Sequence, residues 1–149
     1  MHKRRKAREI ALQILYGLDA QKAELDEAIA LFWTNFDETN QNISEEVKTF
    51  SNELVEGTWK NRNKIDKLIS GNSSNWTLGR MSRVDKSILR MAVYELLFCP
   101  DIPPKVTLNE AIDLGKIYGS ENSGSFINGI LNALYIKLSG NHENNLPEI

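Results

Sequence analysis

Apolar residues recur at spacings of three and four along almost the whole chain. Ala7, Ile10, Ala11, Ile14, Leu15 and Leu18 form one stripe, the signature of an amphipathic helix with one face on a core. Leu25, Ile29, Phe32, Trp33 and Phe36 make a second, shorter stripe, closed by the polar run Thr39-Asn40-Gln41-Asn42. Ser44 then offers an N-cap, with Glu45 and Glu46 in the first turn, where the helix dipole favours acids. Val47, Phe50, Leu54, Ile65, Leu68 and Ile69 continue the pattern, with Gly57 and the Asn61–Asn63 stretch as candidate bends or breaks. Ser70-Gly71-Asn72-Ser73-Ser74-Asn75 is the clearest loop. It is the expected boundary between an N-terminal subdomain, 1–72, and a C-terminal one, 73–140.

Ser82-Arg83-Val84-Asp85 resembles a capping box with Asp in place of Glu. Behind it, Val84, Ile88, Leu89, Met91, Ala92, Leu96 and Leu97 are apolar on most sides, which predicts a central, buried helix. Cys99-Pro100-Asp101-Ile102-Pro103-Pro104 stops that helix, because proline removes a donor and disfavours helix just upstream. Thr107-Leu108-Asn109-Glu110 is a full T-x-x-E capping box and is expected to open the next helix, which runs to a C-cap at Gly119. A last helix carries Phe126, Ile127, Ile130, Leu131, Leu134 and Leu138; Gly140 is expected to end it, with a frayed tail over 141–149. Within it, Gly129 points to close helix packing, since an interior glycine costs about 1 kcal/mol against alanine. Asn128 could then bond across to a neighbouring backbone. No segment alternates with period two. The expected class is all-α, with six to seven helices.

Composition narrows this little further. The 149 residues are 41% hydrophobic and 26% charged, an ordinary globular balance. No apolar run is long enough to cross a membrane, and the basic start lacks the apolar stretch of a secretory signal. The single cysteine, Cys99, excludes an internal disulfide and a cysteine zinc site. The cytoplasm is the expected compartment.

Charge changes the picture more. The net value of −2 conceals sorting. Residues 1–8 hold five cations, Lys3, Arg4, Arg5, Lys6 and Arg8, and no acid. Residues 9–56 hold eleven acids and two bases, and residues 60–90 eight bases and two acids. Local patches make contacts, while net charge sets only the far field. The middle runs fit solvated faces. The N-terminal run fits either a solubilising end or a phosphate-binding helix start, since dense arginine on a helix binds backbones and stacks on bases. Five phosphate contacts on single-stranded RNA would give a slope of about −3.5 in log K against log salt. Tyr16 fits a stacking platform or a core-edge tyrosine equally well.

Catalytic chemistry is absent from the pattern. His2 and His142 lie near the ends, where no second shell fixes a tautomer. There is no H-E-x-x-H, no E-x-x-H and no glycine-rich phosphate loop. Glu110 and Asp113, one turn apart, read as dipole partners of a helix start rather than an acid pair. Cys99 ends a helix, where the dipole raises a thiol pKa, and reads as a small buried hydrophobe. The reading is a binding protein, without enzyme activity, metal or cofactor.

Several blocks together carry a resemblance. R-R-K-A-R-E-I-A-L-Q-I-L-Y (Arg4 to Tyr16) resembles the first helix of the NusB family of bacterial transcription antitermination factors. So do S-R-V-D-K-S-I-L-R-M-A-V-Y-E-L-L (Ser82 to Leu97), the Ile102-Pro103 loop, V-T-L-N-E-A-I-D-L-G-K-I-Y-G (Val106 to Gly119) and F-I-N-G-I-L (Phe126 to Leu131), in family order and spacing. The resemblance implies an all-helical fold of two bundles and no enzyme. It also implies binding of single-stranded boxA-type RNA together with the small-subunit ribosomal protein NusE. That pair joins an antitermination complex on RNA polymerase that supports ribosomal RNA synthesis. Monomers and homodimers are both compatible with it.

Carried over by position, the resemblance assigns RNA contact to Lys3, Arg4, Arg5, Lys6, Arg8 and Tyr16. It adds the loop Glu121, Asn122 and Ser123, and the aromatic Phe126, which fits the core as well. Asp85, which also fits a helix cap, and Glu110 fall to the partner protein. The family commonly has an acid at the position of Asn122, a base at Ser125 and an acid at Asn132. Losing an acid removes repulsion toward phosphate, and losing a base removes attraction. Two other readings stand beside this one. The first is an accessory module related to the N-terminal domain of some RNA cytosine methyltransferases. The second is a helical dimerisation module indifferent to RNA.

Overall fold

The computed structural model describes residues 2–21, 23–38, 43–71 and 81–142. Seven helices occupy them: α1 (His2–Gln21), α2 (Leu25–Glu38), α3 (Glu45–Lys60), α4 (Arg62–Gly71), α5 (Arg83–Phe98), α6 (Pro104–Tyr118) and α7 (Ser123–His142). No strand occurs among the described residues, in agreement with the all-α expectation. The polar run 39–42, the 72/73 boundary with most of its loop, and the tail from 143 lie outside the described residues.

α5 is the hub. It packs on α1, α3, α4, α6 and α7, and its residues from Ser87 through Glu95 are all buried. A helix apolar on most sides is satisfied in such a place. α1 lies against α3 and α5, and every member of its predicted stripe is buried. α6 and α7 form an antiparallel pair against α5, joined by the short turn at 119–122. The α2 stripe contributes Trp33 to the core, with Phe32 and Phe36 around it at centroid distances of 5.2 and 5.6 Å.

The two serine caps form as expected. The Ser44 side chain accepts from the Val47 N–H at 3.3 Å, and that of Ser82 from the Asp85 N–H at 3.1 Å. Gly119 caps α6, its N–H donating to the Gly115 carbonyl at 2.9 Å.

Four local expectations are corrected. α6 opens at Pro104, behind Pro103, and not at Thr107. Proline at the first helical position has its φ preset and loses no bond there, so the helix begins a turn earlier. Thr107 and Glu110 then lie inside it, with other work to do. α7, from Ser123, does not end at Gly140 but passes through it to His142. Gly57 neither bends nor breaks α3. A Cβ there would run into the Tyr94 ring of α5, so the glycine lets two helices approach. The break falls at Asn61, whose N–H and side-chain amide both donate to the Gly57 carbonyl, at 3.1 and 2.8 Å. Gly129, read as a packing glycine, faces open space: nothing lies within 4 Å of a Cβ built there, and Asn128 is exposed.

Candidate nucleic-acid interface

The first two turns of α1 present the basic run on several sides at once, because consecutive helical residues point about 100° apart. Lys3, Arg4 and Lys6 are exposed. Lys3 reaches Glu46 at the start of α3, 3.1 Å away. The Arg4 guanidinium lies 4.4 Å from the centre of the Phe50 ring on α3 and 3.8 Å from Asp101 in the α5–α6 loop. A groove of about 380 Å³ runs between this end of α1 and that loop, lined by Arg4, Arg5, Arg8, Asp101, Ile102, Pro103, Val106 and Glu110. Its lining mixes apolar Ile102, Pro103 and Val106 with arginines and acids, which suits a flat ring with an anionic backbone.

Arg5 and Arg8 turn inward. Arg8 is 3% exposed. Its Nε and Nη2 donate to the two oxygens of Glu95 on α5, at 2.8 and 2.9 Å. The Thr107 hydroxyl donates to Glu95 as well, at 2.9 Å, which is the work that displaced it from capping. Glu110 adds an oxygen 3.7 Å from Arg8 Nη1. Arg8 therefore ties α1 to α5 and α6, and the structure removes it from the solvent-facing cations among which the sequence grouped it. Arg5 grips the face of α6. Its Nε and Nη2 donate to Glu110 at 3.0 and 2.7 Å, and Nη2 also reaches Asp113 at 2.7 Å. These bonds hold its guanidinium pKa above its ordinary value against a small opposing effect of burial. Glu110 and Asp113 are thus arginine ligands in mid-helix, not dipole partners of a helix start.

Glu9 and Tyr16 share the Arg5 face of α1, one and three turns further on. Glu9 accepts from the hydroxyl of Tyr118, at the end of α6, at 2.9 Å. Burial first, and then that bond, raise the phenol pKa. Tyr118 and Tyr16 keep 43% and 42% of their surface, so one face of the molecule carries two accessible aromatic rings. Tyr118 escaped the sequence reading; its only signal was an aromatic just before the Gly119 cap.

In the turn before α7, Glu121 and Asn122 are exposed, and the Asn122 carbonyl accepts from the Phe126 N–H at 3.0 Å. Ser123 is 1% exposed. Its hydroxyl accepts from the Ser120 N–H at 2.9 Å and fills the space that a Gly119 side chain would need. It shapes the loop from inside. Phe126 is half-buried against the core.

Asp85 is 8% exposed. Its N–H is capped by Ser82, and its Oδ1 is enclosed without a hydrogen-bond partner among the described residues. A second charged network lies nearby. Asp19 of α1 meets Arg83, Lys86 and Arg90 of α5 at 3.3, 3.1 and 3.2 Å. Arg90 also binds Asp66 of α4 through two bonds of 2.8 Å. Burial opposes the charge on Asp19, but Lys86 and Arg90 win and hold its carboxyl below the usual range. Cys99 is buried as expected, its Sγ 3.9 Å from Glu53. Its thiol is pushed up to about 12, by burial first and then by the carboxylates of Glu53, Glu95 and Asp101. Among the described residues no group of three or more His, Cys, Asp or Glu could hold a metal, and no helix is long and apolar enough to cross a membrane.

Comparison with known proteins places this geometry. The chain is 62% identical to the transcription antitermination protein NusB of Syntrophus aciditrophicus over 138 residues, 93% of this chain and 83% of that one. It is 45% identical to the protein of the same name in Myxococcus xanthus over 139 residues, 93% and 99% of the two chains. Among solved structures, T. maritima NusB superposes with a TM-score of 0.79 at 37% identity, covering 90% of this chain and 91% of that one. A structure described as antitermination factors NusB and NusE in complex with dsRNA superposes with a TM-score of 0.79 at 28% identity, covering 92% and 98%. The NusB family model matches residues 5–135, and the chain belongs to that family.

Proposed function

We propose that this chain is a transcription antitermination factor of the bacterial cytoplasm. It takes single-stranded boxA-type RNA on the surface at the start of α1, together with the ribosomal protein NusE. The pair joins an antitermination complex on RNA polymerase and supports ribosomal RNA transcription. The work is binding, with no catalytic step. The observation that carries the reading is the groove between α1 and the α5–α6 loop, with exposed Lys3, Arg4 and Lys6 at its end of α1 and half-exposed Arg5 on its wall. Tyr16, Asn122 and Phe126 extend the proposed path. The similarity to a NusB solved with NusE and RNA supports both partners. Asp85 and Glu110 are proposed for the partner side, Asp85 through the shape of the α5 start and Glu110 through its hold on Arg5.

Placement alters the arithmetic of the basic run. With Arg8 inside, four cations remain for phosphate, and the ceiling on the single-strand salt slope is about −2.8. Fluorescence anisotropy of a labelled boxA-type RNA, with and without NusE, tests this. Replacing Arg4 and Lys6 together with alanine is expected to weaken binding and flatten the slope by about 1.4. Unchanged affinity and slope would remove the RNA from this face. A duplex competitor that displaced the RNA as well as the single strand does would remove the single-strand preference.

A further inference from the structure

Arg5 hydrogen-bonds to two carboxylates. Glu110 holds it through a fork of two bonds, and Asp113 adds a third at 2.7 Å. A carboxylate fork on guanidinium has the geometry with which a phosphate would bind it. The charges around it do not balance. Arg8 and Glu95 neutralise each other in the interior, and Arg5 and Glu110 form a second neutral pair, which leaves Asp113 in excess. Burial separates the two acids. The Glu110 side chain is 16% exposed, while that of Asp113 is 44% exposed and stands where solvent, or an incoming anion, meets the arginine.

We propose that Asp113 is a specificity-determining gate on the RNA surface: it occupies Arg5 Nη2, where a phosphate oxygen would sit, so that RNA gains this donor only by displacing an internal carboxylate. The inference rests on the RNA-binding reading above and deepens it. A gate of this kind weakens attachment to any polyanion. It reserves the Arg5 contact for a ligand already held by Arg4, Lys6 and the aromatic rings, because only such a ligand offsets the loss of the internal bond.

The test is Asp113→Asn in the full chain, read by anisotropy of labelled boxA-type RNA across a salt series. The asparagine keeps the size of the side chain and removes the charge. Binding is expected to tighten about fivefold at low salt, since one unit of repulsion at contact distance is removed. The slope for an RNA of scrambled sequence is expected to steepen by about 0.7, as Arg5 becomes a full phosphate contact for a ligand the gate excludes. In the Arg5→Ala background the same substitution is expected to gain much less. An unlabelled RNA of scrambled sequence is expected to gain at least as much as the boxA-type RNA. Equal or weaker binding by Asp113→Asn would overturn the gate and leave Asp113 as a support that positions Arg5. An undiminished gain without Arg5 would overturn it too. If the unmodified chain fails to bind RNA with NusE present, the functional reading falls and the gate with it; binding by the unmodified chain with no response in the variant removes the gate alone.

Discussion

At the scale of single residues, the same side chain does different work according to which way one helical step points it. Arg4 and Arg5 are neighbours in sequence, yet one lies over a phenylalanine at the surface and the other is locked to α6. Arg8 is four residues from Arg4 and is almost sealed. A buried ion pair is costly to form but far costlier to halve, because the survivor is left charged and unpartnered. Glu95→Ala is therefore expected to destabilise the fold by about 3–5 kcal/mol, more than any substitution among the exposed cations. Urea unfolding followed by far-ultraviolet circular dichroism measures it. Replacing both partners, Arg8→Met with Glu95→Leu, is expected to recover most of the loss. A double variant as weak as Glu95→Ala would mean that Thr107 and the surrounding packing, not the charge, set the cost. Sequence pattern recognised Arg8 as important and mistook its direction, because its partner lies 87 residues away and a charge run carries no trace of what faces it.

At the scale of elements, periodicity located the helices well, and the reason is physical. The stripes of α1, α5 and α7 are long and face a common core, so burial enforces the period they show. Boundaries were less legible where two local signals competed. At α6 a full capping box lay three residues inside a helix that proline had already started, and Thr107 and Glu110 were worth more as partners of Glu95 and Arg5. The glycines give the clearest contrast. Gly57 and Gly129 both sit in helix interiors and are indistinguishable by sequence, but only one is crowded. Gly57→Ala is expected to destabilise by about 1–3 kcal/mol, as Tyr94 must shift to admit a methyl group. Gly129→Ala is expected to stabilise by about 0.4–1 kcal/mol through the unfolded state, with its new methyl group in solvent. Thermal unfolding of the two variants side by side decides it. A stable Gly57→Ala protein would mean that the ring has another resting place.

At the scale of the whole molecule, charge sorting explains features that a pI of about 5.7 hides. The fold brings the basic start of α1 against Glu46, Asp101, Glu110 and Asp113, so the basic run is partly neutralised at home. The candidate RNA surface was legible in the sequence as a composition, not as a geometry. The Asp19 network was not legible at all, because its members come from α1, α4 and α5 and form no motif. That network staples three helices and gives the molecule an acid-sensitive point. The Asp19 carboxyl sits below its ordinary value of 3.8 in the fold, so the unfolded chain takes up its proton first as pH falls. Its contribution is complete above the unfolded value and is lost as pH drops through the folded one. Asp19→Asn is expected to cost about 2 kcal/mol near neutrality, the order of a charged hydrogen bond removed, and to flatten the fall in stability below about pH 4. Chemical denaturation at a series of pH values measures both effects. An Asp19→Asn protein with the parent's acid limb would assign that limb to other carboxylates, while a loss confined to low pH would contradict the sign, since this charge acts where it is ionised.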